Sequence, residues 1–301
     1  SEAKSGAGAE SESGAGAGAE SGVGGRMRLV LLGTGTPEPD PRRSGPASAI
    51  VIGGQAYLID AGAGIVRQAA AARRAGIEAL APSGLSRVFL THLHSDHTVG
   101  LPDLALSPWV VGRSEPLTLY GPPGASRLAH HLMQAYEADV TLRIHGLEQA
   151  DPDGWRIASH EIQAGEVYRD ARLIVRAFRV EHGSSEHAFG YRFEGGGRVI
   201  VLSGDTAPSD AIVRACNGCD LLVHEVYSTR THAQGSASFQ RYHRSFHTSA
   251  SELGELASRA RPRLLVLNHG LLWGASREEV LEEIRERFEG GVVFGEELGV
   301  Y

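Results

Sequence analysis

Cysteine is scarce: Cys216 and Cys219 are the only two in 301 residues, and two cannot build a disulfide scaffold. Their Cys-Asn-Gly-Cys spacing suits a redox pair or half of a zinc knuckle, but no further pair of ligands stands beside them. Small residues at a helix-to-strand turn are the expectation. Long apolar runs are missing too. No stretch approaches the roughly 20 residues needed to span a bilayer, and the first residues lack the apolar core of a secretory signal. A soluble chain without a membrane partner is expected, cytoplasmic unless its N-terminal tail follows a removed signal. Cationic excess is also absent. A formal net charge of -7 and a pI near 6.1 tell against a general nucleic-acid binder.

Residues 1–25 are nearly all Gly, Ala, Ser and Glu, a composition that buries too little apolar surface to offset the entropy of ordering. A disordered tail is expected there, with one folded domain over 26–301. Met27 to Leu32 reads as a strand running into Gly33-Thr34-Gly35-Thr36-Pro37, a tight turn that lacks the Gly-Lys-Ser/Thr ending of a phosphate loop. Ser48 to Ile52 and Gln55 to Ile59 read as a hairpin around Gly53-Gly54. Helices are expected over 65–75, 126–138, 207–215, 249–260 and 276–288, the last with Ser276 and Glu279 in capping-box spacing. Further strands are expected near 117–120, 173–180, 190–193, 199–202, 221–223, 264–267 and 292–294. Two successive halves, each β-rich and then helical, predict an α/β fold layered as a four-layer αββα sandwich.

The densest chemistry is His92-Leu93-His94-Ser95-Asp96-His97, four potential metal ligands in six residues, directly after the short buried strand Ser86 to Leu90. Imidazoles at alternate positions in a loop can converge on one cation, while Asp96 and His97 turn toward a second. Three later candidates also sit just past strands: His182, Asp205 and His269. Taken singly, each has a plain structural reading, Asp205 as a helix N-cap for example.

Together these segments resemble the metallo-β-lactamase-fold hydrolases. The match rests on His-x-His-x-Asp-His at 92–97, on Leu58-Ile59-Asp60-Ala61-Gly62 ahead of it, and on the later His, Asp and His. The resemblance implies that His92, His94 and His182 hold one zinc, that Asp96, His97 and His269 hold the other, and that Asp205 bridges them. Asp60 then orients a ligand imidazole from behind. Two adjacent cations acidify a shared water and hold the resulting hydroxide beside an electrophile, so hydrolysis is the implied reaction. Zinc fits mixed imidazole and carboxylate ligands; Mn2+ or Fe2+ also fits a site without thiolates.

Within that superfamily, Gly33-Thr34-Gly35-Thr36-Pro37, Gly100-Leu101-Pro102, Tyr120-Gly121-Pro122, Ser203-Gly204-Asp205-Thr206, His224-Glu225 and His247-Thr248-Ser249-Ala250 resemble the ribonuclease Z and phosphodiesterase branch. The likeness implies that His247 donates a proton to the leaving oxygen and that Glu225 orients it and keeps it protonated. Asp96 is expected to assist the nucleophilic water as well as bind metal. Two departures speak against tRNA as the substrate. Only Glu194-Gly195-Gly196-Gly197 occupies the place of the protruding tRNA-binding arm, and Gly270-Leu271-Leu272-Trp273 replaces the usual Ser-x-Arg after the last metal histidine.

A small-molecule or phosphodiester substrate is therefore the expectation, with a homodimer as one open assembly. Hydrolysis of a lactone or β-lactam is the alternative enzyme class, and a tRNA 3'-processing endonuclease or a non-catalytic metal-binding protein are the others. Trp273, and to a lesser degree Trp109 and Trp155, are candidates to line an apolar substrate pocket. His187, His232 and His243 are expected to be solvated.

Overall fold

The computed structural model describes residues 25–301, so the expected tail falls almost wholly outside the described residues. Strands β1 (Arg28–Gly33), β2 (Ala47–Ile52), β3 (Gln55–Ile59), β4 (Arg87–Phe89), β5 (Leu117–Gly121) and β6 (Ile157–Glu161) form one sheet in sequence order. Strands β7 (Gly165–Arg169), β8 (Leu173–Arg179), β9 (Phe189–Gly195), β10 (Arg198–Leu202), β11 (Leu221–Tyr227), β12 (Leu264–Leu271) and β13 (Val292–Phe294) form the second.

Alternation along each strand makes the layers. In β1, Leu29 and Leu31 face the other sheet, joining Phe89, Tyr191 and Phe193 between the sheets. Val30 and Leu32 face outward, packing with Ala69 and Leu104 from the helices Ile65–Arg74 and Leu101–Val110. On the far side, Val201, Leu222 and Leu265 meet Ile212, Leu253 and Ile284 from the helices Asp210–Cys216, Ala250–Ala260 and Arg277–Arg285. Period-two side-chain direction thus yields helix, sheet, sheet, helix, the expected αββα sandwich. The free edge of β1 is covered by the C-terminal residues, where Leu29 and Tyr301 exchange both backbone hydrogen bonds.

Several expectations shift. The helix expected to end at Ala138 is two helices, Ala125–Ala135 and Glu137–His145. Strands β6 and β7 and the helices Leu101–Val110 and Ala237–Phe246 had not been anticipated. Cys216 and Cys219 do lie at a helix-to-strand turn, but they are joined by a disulfide, with Cα atoms 4.7 Å apart. Asn217 and Gly218, at φ 38° and 84°, curl the chain enough to bring the two side chains together. Cys216 ends a helix, where the macrodipole disfavours a thiolate, so the pair is built as a clasp. Trp109 is core, 3 % exposed, with its indole N–H donated to the Asp151 carbonyl.

Candidate metal centre

Strand ends deliver the expected ligands to one place between the sheets. The chain leaves β3 at Asp60 and β4 at Thr91–His97; β8 leads to His182 and β10 to Asp205, after Gly204 at φ 63°. His269 arrives differently from expectation, since β12 continues past it to Leu271. His224 pairs with Leu267 and Val226 with Gly270, so Asn268 and His269 together oppose Glu225. This bulge, with His269 at φ 48°, turns the imidazole toward the cluster. Asp60 at φ 58° and Trp273 at φ 46° are also left-handed, and such strained backbone concentrates at functional sites.

The ligand atoms fall into three overlapping groups: His92, His94 and His182; His92, His97 and Asp205; and Asp96, His97 and His269. Within each, the atoms lie within 4.8 Å of one another. Asp205 Oδ2 is 3.5 Å from His97 Nε2 and 3.2 Å from His269 Nε2, both in the third group, and the second group joins it to His92 of the first. Asp96 Oδ2 lies 3.4 Å and 3.7 Å from the same two nitrogens.

The imidazoles are held from behind through Nδ1. His97 bonds Asp60 at 2.9 Å, His182 donates to the Phe246 carbonyl at 2.8 Å, and His269 donates to the Gly35 carbonyl at 2.7 Å. His92 Nδ1 meets the Thr91 hydroxyl at 3.0 Å. Asp60 is itself fixed by the Thr91 amide and hydroxyl. What remains is a set of buried atoms without hydrogen-bond partners: His92 Nε2, His97 Nε2, His269 Nε2 and Asp96 Oδ2. Buried polar atoms left so are costly. Their convergence fits divalent cations, as does the donor set of five imidazoles and two carboxylates without a thiolate.

Electrostatics divide the cluster. Burial pushes His92 well below the usual imidazole range and His182 down to about 4, outweighing the attraction of Asp205. At His97 and His269 the balance reverses: burial opposes protonation, but Asp205 raises both. Their charges in turn hold the Asp205 carboxyl well below its ordinary value against burial.

Glu225 and His247 meet beside this cluster. Glu225 sits within β11, and His247 caps the helix Ala237–Phe246; Glu225 Oε2 is 3.5 Å from His247 Nδ1. The other oxygen of Glu225 accepts the Thr248 amide at 2.8 Å. Burial pushes Glu225 well above the carboxylate range, helped by the charge of Asp205, and it drives His247 down to about 4. Burial thus favours the uncharged form of each group.

Sequence reasoning missed the wall beside this pair. A cleft of about 950 Å³ is lined by residues 36–41, by Tyr242, His243 and His247, and by 270–275. His243 and His232 are not simply solvated. His243 packs at 4.5 Å from the Trp273 ring, and His232 is 4 % exposed against Tyr227. Phe239, Tyr242, His243 and Phe246 stand at i, i+3, i+4 and i+7, the helical spacing that could have announced this element. Of the three tryptophans, Trp273 lines the cleft, while Trp155 lies in a separate groove with His130 and Met133.

Two facing sheets with histidines and aspartates gathered at their strand ends define a metallo-β-lactamase-type hydrolase fold. Comparison with known proteins agrees. The model of the Beta-lactamase superfamily domain matches residues 55–270. A ribonuclease Z of Mycobacterium bovis (strain BCG / Pasteur 1173P2) is 34% identical over 265 residues, covering 86% of this chain and 92% of that protein. A ribonuclease Z of Mycobacterium marinum is 34% identical over 235 residues, 76% of this chain and 81% of that one. Among solved structures, the metallo-beta-lactamase fold protein YhfI from Bacillus subtilis superposes with a TM-score of 0.70 at 17% identity, covering 91% of this chain and 98% of that one. The short form of human tRNase Z gives 0.66 at 23% identity, with coverage of 91% and 98%. The chain belongs to the β-lactamase superfamily, in its ribonuclease Z-like branch, and is a metal-dependent hydrolase.

Proposed function

We propose that this hydrolase uses a two-metal centre to cleave a compact phosphodiester. The observation that carries the reading is the placement of His247 at the cleft beside the ligand cluster, with Glu225 Oε2 3.5 Å behind its Nδ1, an arrangement suited to proton transfer. His92, His94 and His182 would hold one cation and Asp96, His97 and His269 the second, with Asp205 between them. Zinc is the metal of choice, and Mn2+ or Fe2+ suits the same donors. When bound, the cations supply Lewis acidity, which activates water and offsets charge developing on the ester.

The protein's own part is orientation and proton transfer. Asp60 fixes the His97 ring, and the carbonyls of Phe246 and Gly35 fix His182 and His269. Asp96, beside the His97 and His269 imidazoles, would orient the attacking water. His247 faces Glu225 through Nδ1, which leaves Nε2 as the nitrogen that a leaving oxygen in the cleft would meet. A proton delivered there is worth about 10²- to 10⁴-fold for a poor alkoxide leaving group.

A compact substrate is favoured by the β9–β10 connection. Gly195 pairs with Arg198, so the turn is only Gly196-Gly197, and no arm emerges there to grip tRNA. The names of the mycobacterial relatives pull the other way, toward RNA, and precursor tRNA belongs in the test.

That test loads the full chain with zinc or manganese and assays an aryl phosphodiester, a lactone, a chromogenic β-lactam and a precursor tRNA. Turnover of the diester is expected, with His247→Ala reducing it about 10²-fold or more at unchanged metal content. Hydrolysis of the lactone alone would overturn the reading. Cleavage confined to the tRNA would assign the chain to RNA processing instead.

A further inference from the structure

The cleft beside His247 has two unlike walls. One carries Pro37, Pro39 and Pro41; the other carries Tyr242, His243 and Trp273. Tyr242 is 51 % exposed, although its ring packs on Phe246 at 4.6 Å and 27° between planes. Phe246 in turn lies over His94 at 6.4 Å and 28°. A file of nearly parallel rings therefore runs from the exposed Tyr242 to an imidazole of the metal cluster. Trp273 holds its place through a left-handed backbone at φ 46°, with its ring edge-on to Phe239 at 4.8 Å and to His243 at 4.5 Å.

The proline wall carries Glu38 and Asp40 against a single lining cation, Arg43. Arg43 donates to the carbonyl and hydroxyl of Thr34, and Asp40 is paired with Arg42 at 3.2 Å. With Arg43 turned onto Thr34 and two carboxylates on the wall, the cleft is poorly suited to a run of phosphates, whose binding rests on cations. The ester's phosphate belongs at the metal cluster, and the cleft offers ring faces on one side and rigid pyrrolidines on the other.

Building on the phosphodiesterase reading, we propose that this cleft is a subsite for a planar ring carried by the diester, a nucleobase or aryl group, with Tyr242 and Trp273 as its stacking wall. Stacking on an exposed aromatic tolerates any flat ring because every one has a π-face. The subsite thus selects for shape next to the phosphate, and Tyr242 is a specificity-determining residue that takes no part in the chemistry.

The test uses the metal-loaded full chain hydrolysing bis(p-nitrophenyl) phosphate, with adenosine monophosphate and inorganic phosphate as competing ligands. In Tyr242→Ala the inhibition constant for adenosine monophosphate should rise about tenfold while that for inorganic phosphate stays put. Tyr242→Phe, which keeps the ring, should restore tight inhibition. Equal weakening of both ligands, or no weakening of either, overturns the subsite. Equilibrium dialysis of adenosine monophosphate against wild type and Tyr242→Ala separates the two claims. If the diester is not hydrolysed, the phosphodiesterase reading falls, whereas ring-dependent binding still supports the subsite; absence of binding to wild type overturns it.

Discussion

The Phe246 carbonyl accepts the Nδ1–H of His182 at 2.8 Å, so the helix that carries the aromatic wall also sets the angle of an imidazole in the candidate metal centre. Gly183, next in sequence, donates its amide to the Ser245 carbonyl at 2.8 Å, and the two segments are laced together. A Cβ on Gly183 would lie 2.1 Å from the Phe246 ring, at a φ of 55° that favours glycine. Gly183→Ala should therefore push the helix end away and loosen His182. The expected loss is about 10- to 100-fold in affinity for one of two bound cations, read by competition with a chelator. Two unchanged affinities would show that the helix does not position the ligand.

Asp60 offers a cleaner probe of the other half of the cluster. Its carboxylate touches His97 Nδ1 at 2.9 Å, and its backbone is left-handed, a conformation that Asn tolerates well. Asp60→Asn thus keeps the turn and removes the charge that orients His97 and raises its proton affinity. Metal affinity or turnover should fall about 10- to 100-fold with little change in thermal midpoint. A large drop in the midpoint with normal metal binding would make Asp60 a folding residue instead.

The ligand cluster was legible because its chemistry is local: four donors in six residues, and single donors just past strongly β-forming segments. The layers were legible from period-two and helical patterning. Other features depend on partners remote in sequence. Nothing near residue 269 announces that Asn268 and His269 form a bulge against Glu225, and the pairing of Glu225 with His247 rests on the 21 intervening residues folding back. The helix Ala237–Phe246 has helical spacing but no fully buried residue, because its ring-bearing face lines the cleft and does not join the core. The disulfide went unread because Asn217 and Gly218 close it by backbone curvature.

Arg113 should be a hidden support of the fold. Arg113 is 3 % exposed and has no carboxylate partner among the described residues; its five donors reach the carbonyls of Leu85, Leu104, Ala105, Glu115 and Gly154. Burial lowers its pKa to about 10, which still leaves it charged at neutral pH. Arg113→Met fills the space but strands buried carbonyls, and the expected cost is about 3 kcal/mol or more. Arg113→Lys should recover only part of that, since an ammonium has three donors and no planar fork. Urea unfolding midpoints check both; a methionine variant as stable as wild type would contradict the argument.

Tyr57 on β3 donates its hydroxyl to Asp170 in the β7–β8 turn, tying one sheet to the other. Burial by itself would raise the Asp170 pKa, but hydrogen bonds from Tyr57, from the Arg172 and Leu173 amides and from the Tyr168 hydroxyl outweigh it and lower the value. A carboxyl depressed on folding stabilises above its unfolded pKa, near 3.9, and that stability drains as pH falls through the folded value. Tyr57 works in the opposite sense. Burial and its bond to Asp170 raise its pKa, so its contribution is complete below the unfolded value of about 10 and is lost as pH climbs beyond it. The tie should be strongest between those limits. Asp170→Asn should lose stability at pH 7 yet match wild type more closely as pH drops below about 4, and Tyr57→Phe should converge with wild type above about 10. Stability differences that stay constant from acid to alkali would mean that neither proton matters to the seam.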